Sequence, residues 1–288
     1  MIDLHTHTTA SDGRCAPAEL VARARAAGVT VLSVTDHDTV AGCEPARAAC
    51  AVALVELVAG IEITAVREDA DLHLLGYFID PASPPLLAFL QEQRQQRIDR
   101  VRRMIARLAD LGMPLDADAI LQRALDNPGI SIGRPWIARA LVASGYVASS
   151  NEAFSAWLGR GRPAFVPREG AAPAEVIARI HDAGGIASLA HPGPVGRDAW
   201  IPDLVAAGLD ALEAYHSDHD AAATARYCAV ARRYGLAISG GSDFHGDESH
   251  GPVAPAAVSL PREEYERLLT VRLKPDTTRT GSGAASQR

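Results

Sequence analysis

Residues 3–7 read Asp3-Leu4-His5-Thr6-His7, and Ser11-Asp12-Gly13 follows shortly afterwards. Alternate side chains of a β-strand point to the same face, so His5 and His7 reach the same side of a short strand. Imidazole nitrogens and carboxylate oxygens are ligands that divalent first-row metals accept. This stretch therefore predicts a strand whose end delivers two histidines to one metal ion.

The same residue types recur beside other short apolar runs. The recurrences are Thr35-Asp36-His37-Asp38, Gly60-Ile61-Glu62, Asp71-Leu72-His73, Ala190-His191-Pro192 and Gly241-Ser242-Asp243-Phe244-His245. A lone carboxylate such as Glu62 is costly to bury in an apolar run, and a metal ion removes that cost. Glu62 is therefore expected to bridge two ions, and Asp36 or Asp38 is expected to orient the His37 ring. A hydrolase with a multinuclear metal site is the simplest interpretation.

Strand-like and helix-like runs alternate along much of the chain. Strand-like runs cover residues 2–5, 29–35, 55–64, 72–77, 186–190, 209–215 and 237–242, and helix-like runs cover 17–27, 40–51, 173–183 and 221–234. Such alternation predicts an α/β fold with a parallel sheet, open or closed. The candidate ligands cluster where strands end, as they do in barrels whose active site lies at the carboxyl-terminal face.

The middle of the chain has a different pattern. Residues 86–162 carry helical periodicity without a convincing strand, beginning with a long amphipathic run over residues 87–111. We interpret this stretch as a helical insertion, which leaves residues 1–85 and 163–273 to form one discontinuous domain. The polar tail, residues 274–288, is predicted to be disordered.

The composition and net charge of the chain exclude some classes of function. The chain has 288 residues, 48% of them hydrophobic, and a net charge of −7, which argues against a general nucleic-acid coat protein. No apolar run approaches the roughly 20 residues that a membrane span needs. The first residues do not form a signal peptide, so a cytoplasmic location is expected, with the four cysteines reduced. Nothing in the sequence indicates an obligate protein partner.

Taken together, the histidine and aspartate motifs resemble the signature motifs of the PHP (polymerase and histidinol phosphatase) family. The resemblance covers residues 1–80 and 165–250, in the family's order. It implies a distorted (β/α)7 TIM-like barrel with two to three divalent metal ions, manganese first and zinc, iron or magnesium as alternatives. The implied ligand sets are His5, His7, Glu62 and Asp243 for one ion, Glu62, His73 and His191 for a second, and Asp12, His37 and His245 for a third.

The insertion carries a further resemblance. Ile132-Gly133-Arg134-Pro135 and the segment 153–161 are similar to a nucleotide phosphatase subgroup of the family. The similarity implies removal of the 3′ phosphate from 3′,5′-bisphosphonucleotides, such as adenosine 3′,5′-bisphosphate. It also implies trimming of short 5′-phosphorylated RNA from the 5′ end.

Roles for individual residues follow from metal-assisted phosphoester hydrolysis. His216 and Asp243 are predicted to be catalytic, with His216 as the acid for the leaving oxygen, although a solvent-exposed loop position is the alternative for His216. Arg134 is the best candidate for binding a second phosphate, because guanidinium binds phosphate through two hydrogen bonds. Arg97 and Arg160 are further candidates. A solvated helix face is expected for Arg100, Arg102, Arg103 and Arg107.

Three other interpretations stay open. One is a phosphatase of another small phosphomonoester, such as histidinol phosphate. The second is a non-catalytic PHP module, although no proposed ligand is missing. The third is a metal-dependent amidohydrolase, which usually needs a metal-bridging lysine, and the only lysine, Lys274, lies near the tail.

Overall fold

The computed structural model describes residues 1–68, 70–246 and 254–272. The tail that the sequence predicts to be disordered, residues 274–288, lies outside these ranges. Seven strands form one sheet in chain order. They are β1 (Ile2–Asp3), β2 (Val31–Val34), β3 (Glu56–Arg67), β4 (Ala70–Tyr77), β5 (Ile186–Leu189), β6 (Ala211–Tyr215) and β7 (Ala237–Gly240).

The sheet curls into a nearly closed barrel. The backbone N–H of Leu4 donates to the carbonyl of Gly240 at 3.2 Å, and that of Asp243 donates to the carbonyl of His5 at 2.8 Å. Gly241 permits this approach, because a Cβ there would lie 2.3 Å from the His5 nitrogen. The predicted α/β barrel of seven strands is confirmed, and the first strand meets the last where the histidine motifs lie.

One strand distorts the barrel. β4 runs antiparallel to both β3 and β5, whereas the other neighbouring strands are parallel. Only residues 68 and 69 separate β3 from β4. A parallel crossover needs a dozen or more residues, so this connection can only make a hairpin. The alternation in the sequence therefore predicts the parallel part of the sheet but not the reversal at β4.

Helices connect the remaining strands and fill the middle of the chain. They are α1 (Pro17–Ala26), α2 (Cys43–Ala53), α3 (Pro84–Asp110), α4 (Ala117–Asp126), α5 (Arg134–Ala143), α6 (Ser150–Glu152), α7 (Pro173–Asp182), α8 (Pro192–Val195), α9 (Ile201–Ala206), α10 (Ala221–Tyr234) and α11 (Arg262–Arg272), with a π-helical turn at Ala153–Leu158 and a 3-10 turn at Asp198–Trp200. Several begin at a proline, whose fixed φ suits the first helical turn. In the described ranges, no helix has the length and apolar character needed to cross a membrane.

Helices α3 to α6 lie in the stretch that the sequence assigns to an insertion. The buried face of α3 carries Ile98, Val101, Ile105 and Leu108, which pack with apolar residues of α4 and α5. This hydrophobic cluster is separate from the one that fills the barrel. The domain boundaries stay a prediction. The middle of the chain therefore has a hydrophobic core of its own.

Candidate metal centre

Ionisable side chains converge at the carboxyl-terminal side of the parallel strands. His5 and His7 follow β1, and His37 follows β2 and forms a β-bridge with Glu62 of β3. The antiparallel strand β4 supplies His73. The loops after β5, β6 and β7 supply His191, His216, Asp243 and His245, and the loop after β1 also supplies Asp12. All nine predicted metal ligands therefore reach one pocket; their role as ligands is still a prediction.

Glu62 is the hub of the pocket. Its Oε2 lies 3.0 Å from a His37 nitrogen, 3.3 Å from His7 and 3.4 Å from His5. Its Oε1 lies 2.8 Å from His73 Nδ1 and 3.1 Å from His191 Nε2. Ligands that share an ion at about 2.1 Å lie roughly 3–3.5 Å from each other. Each carboxylate oxygen thus faces its own group of imidazoles, which is the arrangement of a bridge between two ions.

Two further carboxylates complete the pocket. Asp243 Oδ1 lies 3.0 Å from His7 Nε2 and 3.3 Å from His5 Nε2. Asp12 lies on the other side, with its oxygens 3.3 Å from His245 and 3.7 Å from His37. Among the described residues there are four sets of possible ligand atoms, and within each set the atoms lie within 4.8 Å of one another. One of these sets consists of His5, His216 and Asp243.

The donor set fits divalent metal ions. Among the described residues, several buried atoms that could bind a metal have no hydrogen-bond partner. They are His5 Nε2, both nitrogens of His7, His37 Nδ1, Glu62 Oε2, His73 Nδ1, His216 Nε2 and Asp243 Oδ1. A buried polar atom without a partner is destabilising, and clusters of such atoms are rare in folded proteins. Metal ions would satisfy these atoms together, because all of them are imidazole nitrogens or carboxylate oxygens.

The charge balance leads to the same conclusion. Burial disfavours an ionised Glu62, but His37, His73 and His5 outweigh burial and hold the pKa of that carboxyl well below its usual range. Burial also lowers the pKa of His37, to about 3. For His245, burial is outweighed by Asp12 and Asp243, which raise the pKa to about 10. The carboxylates therefore stay ionised, and divalent metal ions held among them would balance their negative charge.

An arginine cluster borders the metal pocket within the same cavity of about 210 Å³. Arg134 Nη2 lies 3.3 Å from Asp71 Oδ2, and Arg100 Nη1 lies 3.7 Å from the same oxygen. Burial and the neighbouring Arg134 lower the pKa of Arg100 to about 9. Arg100 Nη2 has no hydrogen-bond partner in the part of the chain that the structure describes. A cluster of guanidinium groups crowded in this way favours a bound anion such as phosphate.

Similarity to known proteins agrees with this geometry. A family model for the PHP domain matches residues 3–111. A 3′,5′-nucleoside bisphosphate phosphatase of Chromobacterium violaceum is 36% identical over 249 residues, which are 85% of this chain and 87% of that protein. The chain belongs to the PHP family. A 5′-3′ exoribonuclease of Haemophilus influenzae is 37% identical, over 84% of this chain and 89% of its own length.

A solved structure extends the similarity to three dimensions. The crystal structure described as a metal-dependent phosphoesterase from Bifidobacterium adolescentis matches with a TM-score of 0.85 at 32% sequence identity. The match covers 93% of this chain and 95% of the other. The PHP barrel and the helices of the middle segment are therefore shared nearly end to end.

Two aspartates that flank His37 in this PHP chain have other partners than expected. Asp36 accepts hydrogen bonds from the Thr8 backbone and from the Ser11 hydroxyl, both at 2.7 Å, and so holds the loop that carries Asp12. Asp38 accepts from Arg97 at 2.5 Å and from Arg168 at 2.6 Å. The prediction that one of these aspartates orients the His37 ring is wrong, because both carboxylates are directed away to neighbouring loops and helices.

The arginine predictions need a correction. Arg100 was expected on a solvated helix face, but it is buried and lines the cavity, with its Nε donating to the Val166 carbonyl at 2.9 Å. Asp71 of β4 and the loop that carries Val166 cover this side of α3, which helical periodicity alone does not reveal. Arg97 also lines the cavity, whereas Arg160 lies outside it in an adjoining groove. Arg168 is a buried cavity residue that sequence reasoning missed, since it lies in a loop without periodicity.

His216 is buried in the loop after β6, so the alternative of a solvent-exposed position is wrong. Its Nε2 lies 3.5 Å from Asp243 Oδ2 and faces the metal pocket. The position is compatible with the predicted proton donor. It is equally compatible with an additional metal ligand beside His5 and Asp243.

Glu213 is a supporting residue that sequence reasoning missed. Its Oε1 accepts from His5 Nδ1 at 2.9 Å, and its Oε2 accepts from the His191 backbone N–H at 2.7 Å. His5 Nε2 is thereby left facing the pocket. Glu213 is a carboxylate in the otherwise apolar strand β6, just as Glu62 is in β3, so the same argument would have identified it. Such partners fix the ring orientation and tautomer of histidine ligands.

We expect Glu213→Gln to weaken metal binding by about 10- to 100-fold, the range typical of partners that orient a metal-binding histidine. The glutamine oxygen can still accept from His5, but its amide N–H₂ then faces the His191 N–H, so two donors oppose each other. Metal affinity measured by calorimetry tests this expectation. Glu175→Gln on the exposed surface of α7 is the matched control, and equal affinities for the two variants would contradict the orienting role.

Proposed function

We propose that this PHP protein hydrolyses the 3′ phosphate of 3′,5′-bisphosphonucleotides, such as adenosine 3′,5′-bisphosphate, and trims short 5′-phosphorylated RNA from its 5′ end. One observation carries the proposal: a carboxylate whose two oxygens face separate groups of imidazoles shares one cavity with four arginines. They are Arg97, Arg100, Arg134 and Arg168. A bisphosphonucleotide has one phosphate for each part of this cavity. The names of the C. violaceum and H. influenzae relatives support the same substrate class.

The residues of the cavity have different roles in the proposed reaction. Divalent ions at such a centre activate a water molecule and neutralise charge on the phosphoryl oxygens. Glu62, Asp243 and the imidazoles around them would hold these ions. Mixed imidazole and carboxylate ligands suit manganese, which is the metal we propose, with zinc, iron and magnesium as alternatives.

The arginine cluster positions the other end of the substrate. Arg134 is held by Asp71 and would bind the 5′ phosphate, with Arg100 and Arg168 adding charge from the cavity wall. Positioning by a second phosphate converts binding energy into correct alignment of the reacting phosphate. His216 is the proposed donor of the proton that the leaving 3′ oxygen requires, because its Nε2 is buried beside Asp243 at the reacting end.

A substrate panel tests the proposal. Purified protein supplied with Mn²⁺ is expected to release phosphate from adenosine 3′,5′-bisphosphate far faster than from adenosine 5′-monophosphate or histidinol phosphate. The expected ratio of kcat/KM is on the order of 100, equivalent to roughly 3 kcal/mol from the second phosphate. Equal rates on the three compounds, fastest turnover of histidinol phosphate, or no turnover of any would contradict it.

A further inference from the structure

A second groove adjoins the catalytic cavity. It has a volume of about 220 Å³, and Asp71 and Arg134 line both spaces, so the two share a wall. Its other walls include Arg160, Phe165 and Arg197. Arg197 lies six positions after His191, at the end of a segment that passes through α8. One wall of the groove is therefore joined directly to the metal centre.

The groove is positively charged in a chain of net negative charge. Three arginines and one aspartate line it, whereas the whole chain carries a net charge of −7. Asp71 is already shared between Arg134 and Arg100. The side of the groove next to the catalytic cavity therefore retains positive charge, and this charge favours binding of an anionic ligand.

The arginines are held in place in different ways. Arg134 packs over Phe154 and Phe165, with its Cζ 5.8 and 5.9 Å from the ring centres. Arg160 donates to the Glu68 carbonyl at 3.4 Å, and Arg197 lies over the Trp200 ring at 5.5 Å. Guanidinium groups that are positioned before binding lose less side-chain entropy when they contact phosphate.

We propose that this groove binds a third phosphate, the phosphodiester between the second and third nucleotides of a short RNA. The inference rests on the proposed function, in which the metal centre and the inner arginines already take the two phosphates of a bisphosphonucleotide. A third cationic site has no partner in that small substrate but has one in a short RNA. Phe165, Pro194 and Val195 give the groove apolar surface for a ribose or a base.

The test compares a short RNA with the small substrate. The double variant Arg160→Gln and Arg197→Gln is compared with wild type and with Arg47→Gln, which removes an exposed arginine on α2 that pairs with Glu44. The dissociation constant is measured for a 5′-phosphorylated tetranucleotide with phosphorothioate linkages, labelled at its 3′ end. The kcat/KM is measured for the unmodified tetranucleotide and for adenosine 3′,5′-bisphosphate.

The double variant is expected to weaken tetranucleotide binding at least tenfold and to lower its kcat/KM by the same factor. The change for the bisphosphonucleotide is expected to stay below twofold, and Arg47→Gln is expected to resemble wild type on both. The slope of log Kd against log salt concentration should fall by about 0.7, since the groove contacts one phosphate and each phosphate contact on a single strand contributes roughly 0.7.

Several results would overturn the groove assignment. They are equal losses on both substrates, no loss on either, or an equal loss in Arg47→Gln. A loss seen only with a nucleotide that carries a 5′-diphosphate and a 3′-phosphate would place the third phosphate at the 5′ end and overturn it as well. In all these cases wild-type turnover of adenosine 3′,5′-bisphosphate would leave the proposed function standing, whereas its absence would contradict that function itself.

Discussion

Replacing Glu62 with alanine is expected to lower kcat/KM for adenosine 3′,5′-bisphosphate by roughly a thousandfold, since metal ions supply several kcal/mol of transition-state stabilisation. Both oxygens of Glu62 face imidazoles at 2.8–3.4 Å, and each oxygen faces a different group of candidate ligands. Its loss separates the two groups, and the bound metal per chain, measured by elemental analysis, is expected to fall with activity.

The control for this prediction is Glu175→Ala on the exposed face of α7. It removes the same functional group from a surface helix and is expected to retain wild-type metal content and turnover. A Glu62→Ala protein that kept both its metal and a tenth or more of its activity would contradict the bridging role.

Arg134→Ala is expected to reduce kcat/KM for adenosine 3′,5′-bisphosphate by about 100-fold, equivalent to roughly 3 kcal/mol for charge-assisted hydrogen bonds to one phosphate. Most of the loss should appear as a higher KM. An aryl phosphate, which has no second phosphate, should lose less than about threefold. Steady-state kinetics on the two substrates measure the difference directly.

Removal of Arg134 also leaves Asp71 with one fewer cation, so folding is checked by circular dichroism. Arg102→Ala on the exposed side of α3 is the matched control and should leave both substrates unaffected. If turnover of the aryl phosphate falls as far as that of the bisphosphonucleotide, Arg134 is not the clamp for the second phosphate.

The metal pocket was predictable because its ligands follow a local rule. Strand ends in a barrel meet at one face, so histidines and carboxylates that recur at strand ends must converge. Glu62 was recognisable as an unpaired charge in an apolar strand. Glu213 is likewise a charged residue in an apolar strand, β6, but it was not predicted from the sequence. Its hydrogen bonds with His5 and His191 hold both residues at the pocket.

The arginine cavity was only partly predictable, since it depends on how one part of the chain covers another. Helical periodicity places Arg100 on a polar face of α3, and only the packed structure shows that this face is buried beside Asp71 and Val166. Arg168 comes from a loop distant in sequence and meets Arg97 through their shared partner Asp38. Long-range contacts of this kind leave no trace in local patterns.

The reversal at β4 illustrates the same limit. The antiparallel direction of β4 follows from its two-residue connection to β3. This connection can be predicted from the sequence only when the boundaries of both strands are known. His73 faces Glu62 because of this hairpin, although the two lie on neighbouring strands that run in opposite directions. The sequence therefore identifies His73 as a candidate ligand but does not show how it reaches the pocket.

The most direct test is a diffraction measurement on crystals of the manganese-loaded protein at the manganese absorption edge. We expect two or three anomalous peaks in the pocket, with one on each side of the Glu62 carboxylate and about 4 Å between them. A single peak remote from Glu62, or none within reach of His5, His191 and Asp243, would contradict a multinuclear metal centre at this site.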